Sequence, residues 1–292
     1  MGKVLDKIAG GRVLVSDGAW GTFLHQKGLK ADECPESWNL QRPDDVLEIA
    51  SSYVEAGADI ILTNSFGASP LKLEGYGLEA QTIELNRSAA ELSKKAAGDR
   101  VLVMGSMGPT GKMVMMGEVS PQEVFNGFME QAKGLADGGV DGIVIETMSD
   151  PEEAKLAIEA VKKASSLDVG CTFTFSRNQD GVYRTMMGTD VEAYLEMVLA
   201  AGADIIGANC GNGTAGMIEI VRKIRALDPD IPLLIHANAG LPIYQDGKTV
   251  FPESAGEMSS QIEELVKAGA NIVGGCCGTT PEHIRQIVQI LS

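Results

Sequence analysis

Basic residues are scarce in this chain. Its 292 residues carry 24 Lys and Arg against 40 Asp and Glu, a net charge of −16. A surface of that sign repels nucleic acid and anionic membrane, and implies neither as a partner. Long apolar runs are missing as well: none approaches the roughly 18 residues that a membrane-spanning helix requires. No apolar, signal-like region opens the chain, and Asp6 stands where a myristoylation motif has Ser or Thr. There are only five cysteines, an odd number, and two of them are neighbours. That argues against a disulfide framework and for metal binding or thiol chemistry, in a cytoplasmic setting. Also absent is the dinucleotide-binding fingerprint G-x-G-x-x-G. After the first apolar run comes Asp17-Gly18-Ala19-Trp20-Gly21-Thr22, with the wrong spacing.

A repeat is present instead. The four matching segments are Ala56-Gly57-Ala58-Asp59-Ile60-Ile61, Gly138-Gly139-Val140-Asp141-Gly142-Ile143, Ala201-Gly202-Ala203-Asp204-Ile205-Ile206 and Ala268-Gly269-Ala270-Asn271-Ile272-Val273. The second glycine position fits the left-handed residue after a helix, and the apolar run behind it fits a buried strand. Strands are predicted over 12–17, 59–65, 101–106, 141–147, 169–175, 204–210, 232–238 and 271–276. Helices are predicted near 44–56, 79–97, 121–137, 151–165, 190–201, 214–227, 254–268 and 281–291. Ser120-Pro121, Asp150-Pro151 and Thr280-Pro281 open three of them with a cap and a first-turn proline.

Eight apolar strands, each followed by a helix, predict a parallel sheet covered on both faces. Eight is also the count that closes a (β/α)8 barrel. The repeat precedes strands 2, 4, 6 and 8, which favours closure over an open sheet. No linker, low-complexity stretch or break in composition marks a second domain. The expected fold is a single (β/α)8 TIM barrel over 1–292.

Seven residues beyond the four glycines stand Asn64, Glu146, Asn209 and Cys276, with Cys210 and Cys277 one further. Polar groups and thiols therefore recur at one height on related strands, at the end where barrel chemistry collects. Three thiolates from strands 6 and 8 can hold zinc and leave one tetrahedral position for water or substrate. Adjacent strand residues point apart, so Cys276 and Cys277 share an ion only where the strand ends or bends; Gly274, Gly275 and Gly278 offer that freedom. Other readings stay open on spacing alone. The cysteines fit a buried core, His236 fits either a core residue or a fourth ligand of a closed zinc site, and the glycine run fits a phosphate cradle. Cys34 and Cys171 read as non-ligands.

The segments DGAWGT (17–22), LTNSFGAS (62–69), GSMGPTG (105–111), IETMSD (145–150), GANCG (207–211), HANAGLP (236–242) and GGCCGTTPEHI (274–284) carry a resemblance. Over nearly its whole length the chain resembles the homocysteine S-methyltransferase family, zinc-dependent barrels that move a methyl group to homocysteine sulfur. The resemblance implies that Cys210, Cys276 and Cys277 ligate Zn2+. It implies that Asp17 and Glu146 hold the amino group of homocysteine, with backbone N–H groups around Gly18 and Ala19 for its carboxylate. Asn64 and Asn238 fall on the same rim, and Asn238 is expected at the open zinc position when homocysteine is absent. The implied step is direct displacement, with sulfur attacking an activated methyl carbon in line with its leaving group.

Donors in such a family include methylcobamides, S-methylmethionine or S-adenosylmethionine, and betaine. SFGASPLKLEGYGLE and GPTGKMVMMGEVS look most like the homocysteine-binding module of cobalamin-dependent methionine synthase. The corrinoid motif D-x-H-x-x-G is missing, since His25, His236 and His283 all lie outside it. The chain stops after the homocysteine module, so a methylcobamide donor is expected on a separate corrinoid protein. Residues 104–117, rich in Met and Gly, read as a loop over the barrel mouth that meets a bulky cofactor or partner, or as a flexible loop with gap-filling methionines. A non-catalytic thiol- or zinc-binding subunit is the competing class.

Overall fold

The repeated segment that ends in Asp59, Asp141, Asp204 and Asn271 is a clip between neighbouring strands. In the computed structural model, which describes residues 2–245 and 247–292, Gly57, Gly139, Gly202 and Gly269 all have positive φ, from 86° to 119°. Two residues on, the backbone N–H of Asp59, Asp141, Asp204 or Asn271 donates to the carbonyl of Val15, Val103, Val169 or Leu233, at 2.7–3.0 Å. The side-chain oxygen of the same residue accepts from that partner's own N–H, at 2.8–3.0 Å. Each even strand is thus locked to the odd strand before it at both backbone groups. Three aspartates and one asparagine at the same repeat position set four registers alike, so the upper ends of the strands arrive level.

The strands so aligned are β1 (Leu14–Val15), β2 (Ile60–Leu62), β3 (Leu102–Met107), β4 (Gly142–Met148), β5 (Asp168–Phe173), β6 (Ile205–Asn209), β7 (Leu233–Ala237) and β8 (Ile272–Gly275). They pair in sequence order from β2 to β8, and β8 pairs with β1. A parallel bridge between Ser16 and Ile60 joins β1 to β2 and completes the ring. Helices follow each strand, and three of those predicted match in full: Pro121–Asp137, Thr214–Leu227 and Pro281–Leu291. The helix predicted over 254–268 is two pieces, Ala255–Ser259 and Ile262–Ala268. Six of the strands are shorter than predicted, their last residues leaving the ladder to form the rim, whereas β3 and β4 keep the predicted length and run one residue further.

Alternation places Leu14, Ile60, Leu62, Val144, Leu234 and Ile272 in the lumen, while Ile61, Val103, Ile143, Ile235 and Val273 face the helices. An N-terminal helix that the sequence reading left out, Lys3–Ala9, plugs the lower end with Val4. The Asp168 carboxylate holds it by accepting from the amides of Gly2, Val4 and Leu5 at 2.9–3.1 Å. Two further additions are short hairpins, Ser176–Arg177 with Tyr183–Arg184 after β5, and Ile243–Gln245 with Lys248–Val250 after β7. Among the described residues no helix is long and apolar enough to cross a membrane.

The clip makes a stability prediction. Asp141 is buried and also bonds Lys3 at 2.6 Å and Lys94 at 2.8 Å. Asp141→Ala is expected to lower the unfolding free energy by about 2–3 kcal/mol, since one charged acceptor serves the Val103 amide and two ammonium groups. Urea denaturation checks it; a midpoint unchanged from the parent protein rules out the clip as a stabilising device.

Candidate metal centre and substrate cavity

Among the described residues two non-glycines have φ in the left-handed region, Thr147 at 63° and Cys210 at 57°, and both follow a seventh-position residue of the repeat. Such backbone costs about 1–3 kcal/mol and persists only where its surroundings enforce it. At Cys210 the amide still donates to His236 O at 3.1 Å, then the chain folds back so that Asn212 N reaches Cys210 O at 2.7 Å. The turn swings the Cys210 thiol off the strand toward β8. There, Cys276 N donates to Ala237 O at 2.7 Å as the last rung of the ladder, and Thr279 N returns to Cys276 O at 3.1 Å. Cys276 thus ends the strand and Cys277 begins a turn, which is how two adjacent thiols come to one side.

The glycines around them act differently from one another. Gly278 has φ of 82°. Gly275 stays in the strand, where a Cβ would lie 2.2 Å from Thr279 Oγ1.

The three sulfurs lie within 4.8 Å of one another, the one such cluster of metal-ligating side chains among the described residues. Each cysteine is partly exposed. Hydrogen bonds from Cys276 and then Cys277 hold the Cys210 thiol well below its ordinary range, and those contacts push Cys276 and Cys277 up. The group therefore concentrates negative charge on sulfur, and a soft dication suits it. Asn238 supports the same fit. It is 2% exposed, it hydrogen-bonds Cys210, and its Oδ1 is enclosed without a partner. That side chain therefore keeps one oxygen donor which no protein group satisfies.

The sulfurs form one wall of a cavity of about 280 Å3, whose lining also includes Gly18, Ala19, Asn64, Glu146 and His236. Glu146 projects into it from β4. It accepts from Ser106 Oγ at 2.5 Å and from Asn209 Nδ2 at 3.5 Å. Asn209 is itself held by Thr172 Oγ1 at 2.7 Å and by the Thr147 amide at 2.8 Å, both donating to its Oδ1. Burial pushes the Glu146 carboxyl up to about 7, so the site has an unmet preference for a cation beside it.

Asp17 does not line the cavity. It is fully enclosed, and accepts from Trp20 Nε1 at 2.8 Å, Leu62 N at 2.8 Å and Ser16 Oγ at 3.3 Å. Burial pushes it also to about 7. It stands one layer behind Glu146's lumen as a field source and as the brace of Trp20. The Ala19 amide, expected to receive a carboxylate, donates to Thr279 Oγ1 at 3.0 Å instead. The Gly18 amide has no partner among the described residues. Asn64 reaches the cavity wall, yet its Nδ2 is spent on Pro35 O at 2.9 Å and Asn39 Oδ1 at 3.0 Å.

Asn209, a seventh residue of the repeat, braces Glu146, and so do Ser106 and Thr172, which carry no signal in the sequence. Glu36 lines the cavity and accepts from Gly67 N at 2.6 Å, fixing the loop that bears Phe66. The loops after β3, β5 and β7 expose Met113, Met116, Met186, Leu241 and Tyr244.

Comparison with known proteins places the chain as a whole. A family model described as homocysteine S-methyltransferase matches residues 14–291. Methionine synthases of Mycobacterium leprae (strain TN) and Mycobacterium tuberculosis (strain ATCC 25618 / H37Rv) are each 32% identical over 290 residues, covering 94% of this chain. The chain spans about a quarter of those relatives' length, 24%. The metallated form of the homocysteine methyltransferase MmuM from Escherichia coli superposes with a TM-score of 0.78 at 23% identity, covering 95% of this chain and 96% of that one. At that identity the likeness is one of fold. With the family model spanning nearly all of the barrel, the chain belongs to the homocysteine S-methyltransferase family.

Proposed function

We propose that this chain is a zinc-dependent methyltransferase that moves a methyl group to the thiol of homocysteine and yields methionine. One observation carries the reading: three sulfurs from β6 and β8 wall the same cavity into which Glu146 projects from β4. Cys210, Cys276 and Cys277 would hold zinc, which as a Lewis acid keeps a substrate thiol deprotonated at neutral pH. The chain's own residues do the rest. Glu146, with the buried charge of Asp17 behind it, receives the ammonium group, and the Gly18 amide is free for the carboxylate. Leu62, Phe66 and Trp20 keep water from the reacting sulfur. Sulfur then forms its bond to the methyl carbon as the donor's bond breaks, and the donor leaves with that electron pair.

As donor we favour a methylcobamide on a separate corrinoid protein. The relatives named methionine synthase support this, and so does the apolar fringe of exposed methionines and Tyr244, which suits a bulky partner better than a small cation. Free thiols at the rim suit a reducing, cytoplasmic location. The whole described chain would then serve as one homocysteine-binding module.

A methyl-transfer assay with homocysteine and zinc-loaded protein, offering methylcobalamin and S-methylmethionine in parallel, tests it. Methionine formed from methylcobalamin is the expected result. Turnover with S-methylmethionine alone replaces the donor, and bound zinc without turnover from either leaves a thiol- or zinc-binding subunit.

A further inference from the structure

One polar side chain on the cavity wall has no part in the proposed chemistry. His236 points inward from β7 and is 2% exposed. Among the described residues no hydrogen bond reaches its ring, and Nε2 is enclosed without a partner. Buried polar groups are nearly always paired, so a bare imidazole beside an open cavity calls for a ligand. A neutral imidazole offers one N–H donor and one lone pair.

The strand geometry shows which way the ring leans. His236 pairs with Asn209 on β6 and Gly274 on β8. A Cβ on Gly274 would lie 3.0 Å from His236 Cδ2, 2.9 Å from Asp17 O and 2.9 Å from Ser16 Cβ. The imidazole therefore reaches across β8, through space that only a glycine leaves open, toward the end of β1. That side of the cavity also holds the unspent Gly18 amide. Glu146 stands on the other side, on β4. The cavity is thus divided, with acceptors for an ammonium on one side and unspent donors on the other.

Resting on the reading of homocysteine as substrate, we infer that His236 is a substrate-binding residue that donates its ring N–H to the carboxylate of the amino acid. It thereby separates an α-amino-acid thiol from simpler thiols. A lone hydrogen bond from a neutral donor suits this position. It adds no second positive charge to compete with the ammonium for Glu146.

Calorimetric titration of zinc-loaded protein tests the inference. The ligands are L-homocysteine, 4-sulfanylbutanoate (no amine) and 3-aminopropane-1-thiol (no carboxylate). His236→Leu is expected to weaken homocysteine and 4-sulfanylbutanoate by about 10- to 100-fold, the size of a hydrogen bond to a charged group. It should leave 3-aminopropane-1-thiol within about twofold, which also shows that the variant is folded. His236→Gln, which keeps a donor, should recover most of the lost affinity. Equal weakening of all three thiols, or weakening confined to the amine, overturns the inference. If the unmodified protein binds none of them, the homocysteine reading itself fails, a result distinct from either.

Discussion

Serine in place of Cys210, Cys276 or Cys277, one at a time, is expected to remove bound zinc and lower methyl transfer by more than about 100-fold. Loss of a group that merely orients a ligand already costs about 10- to 100-fold, and a ligand itself weighs more. The expectation follows from charge and softness. Three thiolates bring a dication to a net −1, whereas a serine hydroxyl stays protonated and leaves a two-sulfur site. The fold should survive, because the three sulfurs lie on a rim and are partly exposed. Cys34→Ala is the control: that thiol is buried and donates to Glu36 Oε2 at 3.2 Å, away from the cluster. Metal analysis with the turnover assay decides the matter. Full zinc occupancy in Cys276→Ser would exclude the proposed centre. Zinc K-edge absorption from the same samples reports on Asn238, since a light-atom scatterer lost in Asn238→Ala without homocysteine would mark its amide as the fourth ligand.

Much of this was legible in the sequence for a physical reason. A parallel barrel is a repeat, and the repeat here is written in residues with strong backbone demands. Gly57, Gly139, Gly202 and Gly269 announce helix ends because few other residues adopt that φ. The Asp or Asn behind each recurs as plainly, but the bond from its side chain to a neighbouring amide exists only in three dimensions. Counting from the glycines found Glu146 and the three cysteines because identical clips deliver each strand at the same height. Asp17, which the resemblance and not the count singles out, shows a limit. It follows β1 as the strand predicted over 12–17 implies, but whether a side chain turns into the lumen or behind it depends on the last dihedrals of the strand. Here the Trp20 indole and the Leu62 amide turn it behind. For His236 the sequence fits core and ligand alike, since a missing hydrogen bond is a three-dimensional fact. The hairpins after β5 and β7 were missed because each has strands of only two or three residues, too short for a period to appear.

Glu146→Gln is the second large effect to expect. The substitution preserves shape and can still accept from Ser106, but it removes the charge that meets the substrate's ammonium. Truncating one partner of a buried charge pair costs about 2–5 kcal/mol, so KM for homocysteine should rise by roughly 30-fold or more. The turnover number should fall less, since Glu146 touches the amino group and not the sulfur.

The pH dependence separates this role from a structural one. Burial holds the Glu146 carboxyl at about 7 without ligand, so below pH 7 binding an ammonium must first expel a proton. Log KM should therefore climb as pH falls from about 7 toward 5. In Glu146→Gln the slope should drop by about one unit of log KM per pH unit, leaving only the slope due to the thiol's own proton.

Stability runs the other way. A carboxyl whose folded pKa lies above its unfolded value binds protons more tightly in the native state, so the stability it confers is present in acid and lost as pH rises through about 7. The ligand-free Gln variant should then be more stable than the parent at pH 8 and no more stable at pH 4, as thermal melts at the two pH values would show. A parent and variant with parallel KM profiles and identical melts at pH 8 would remove Glu146 from the amino-group site. The opposite pattern would mean that the site gives up stability to keep a charge ready for its substrate.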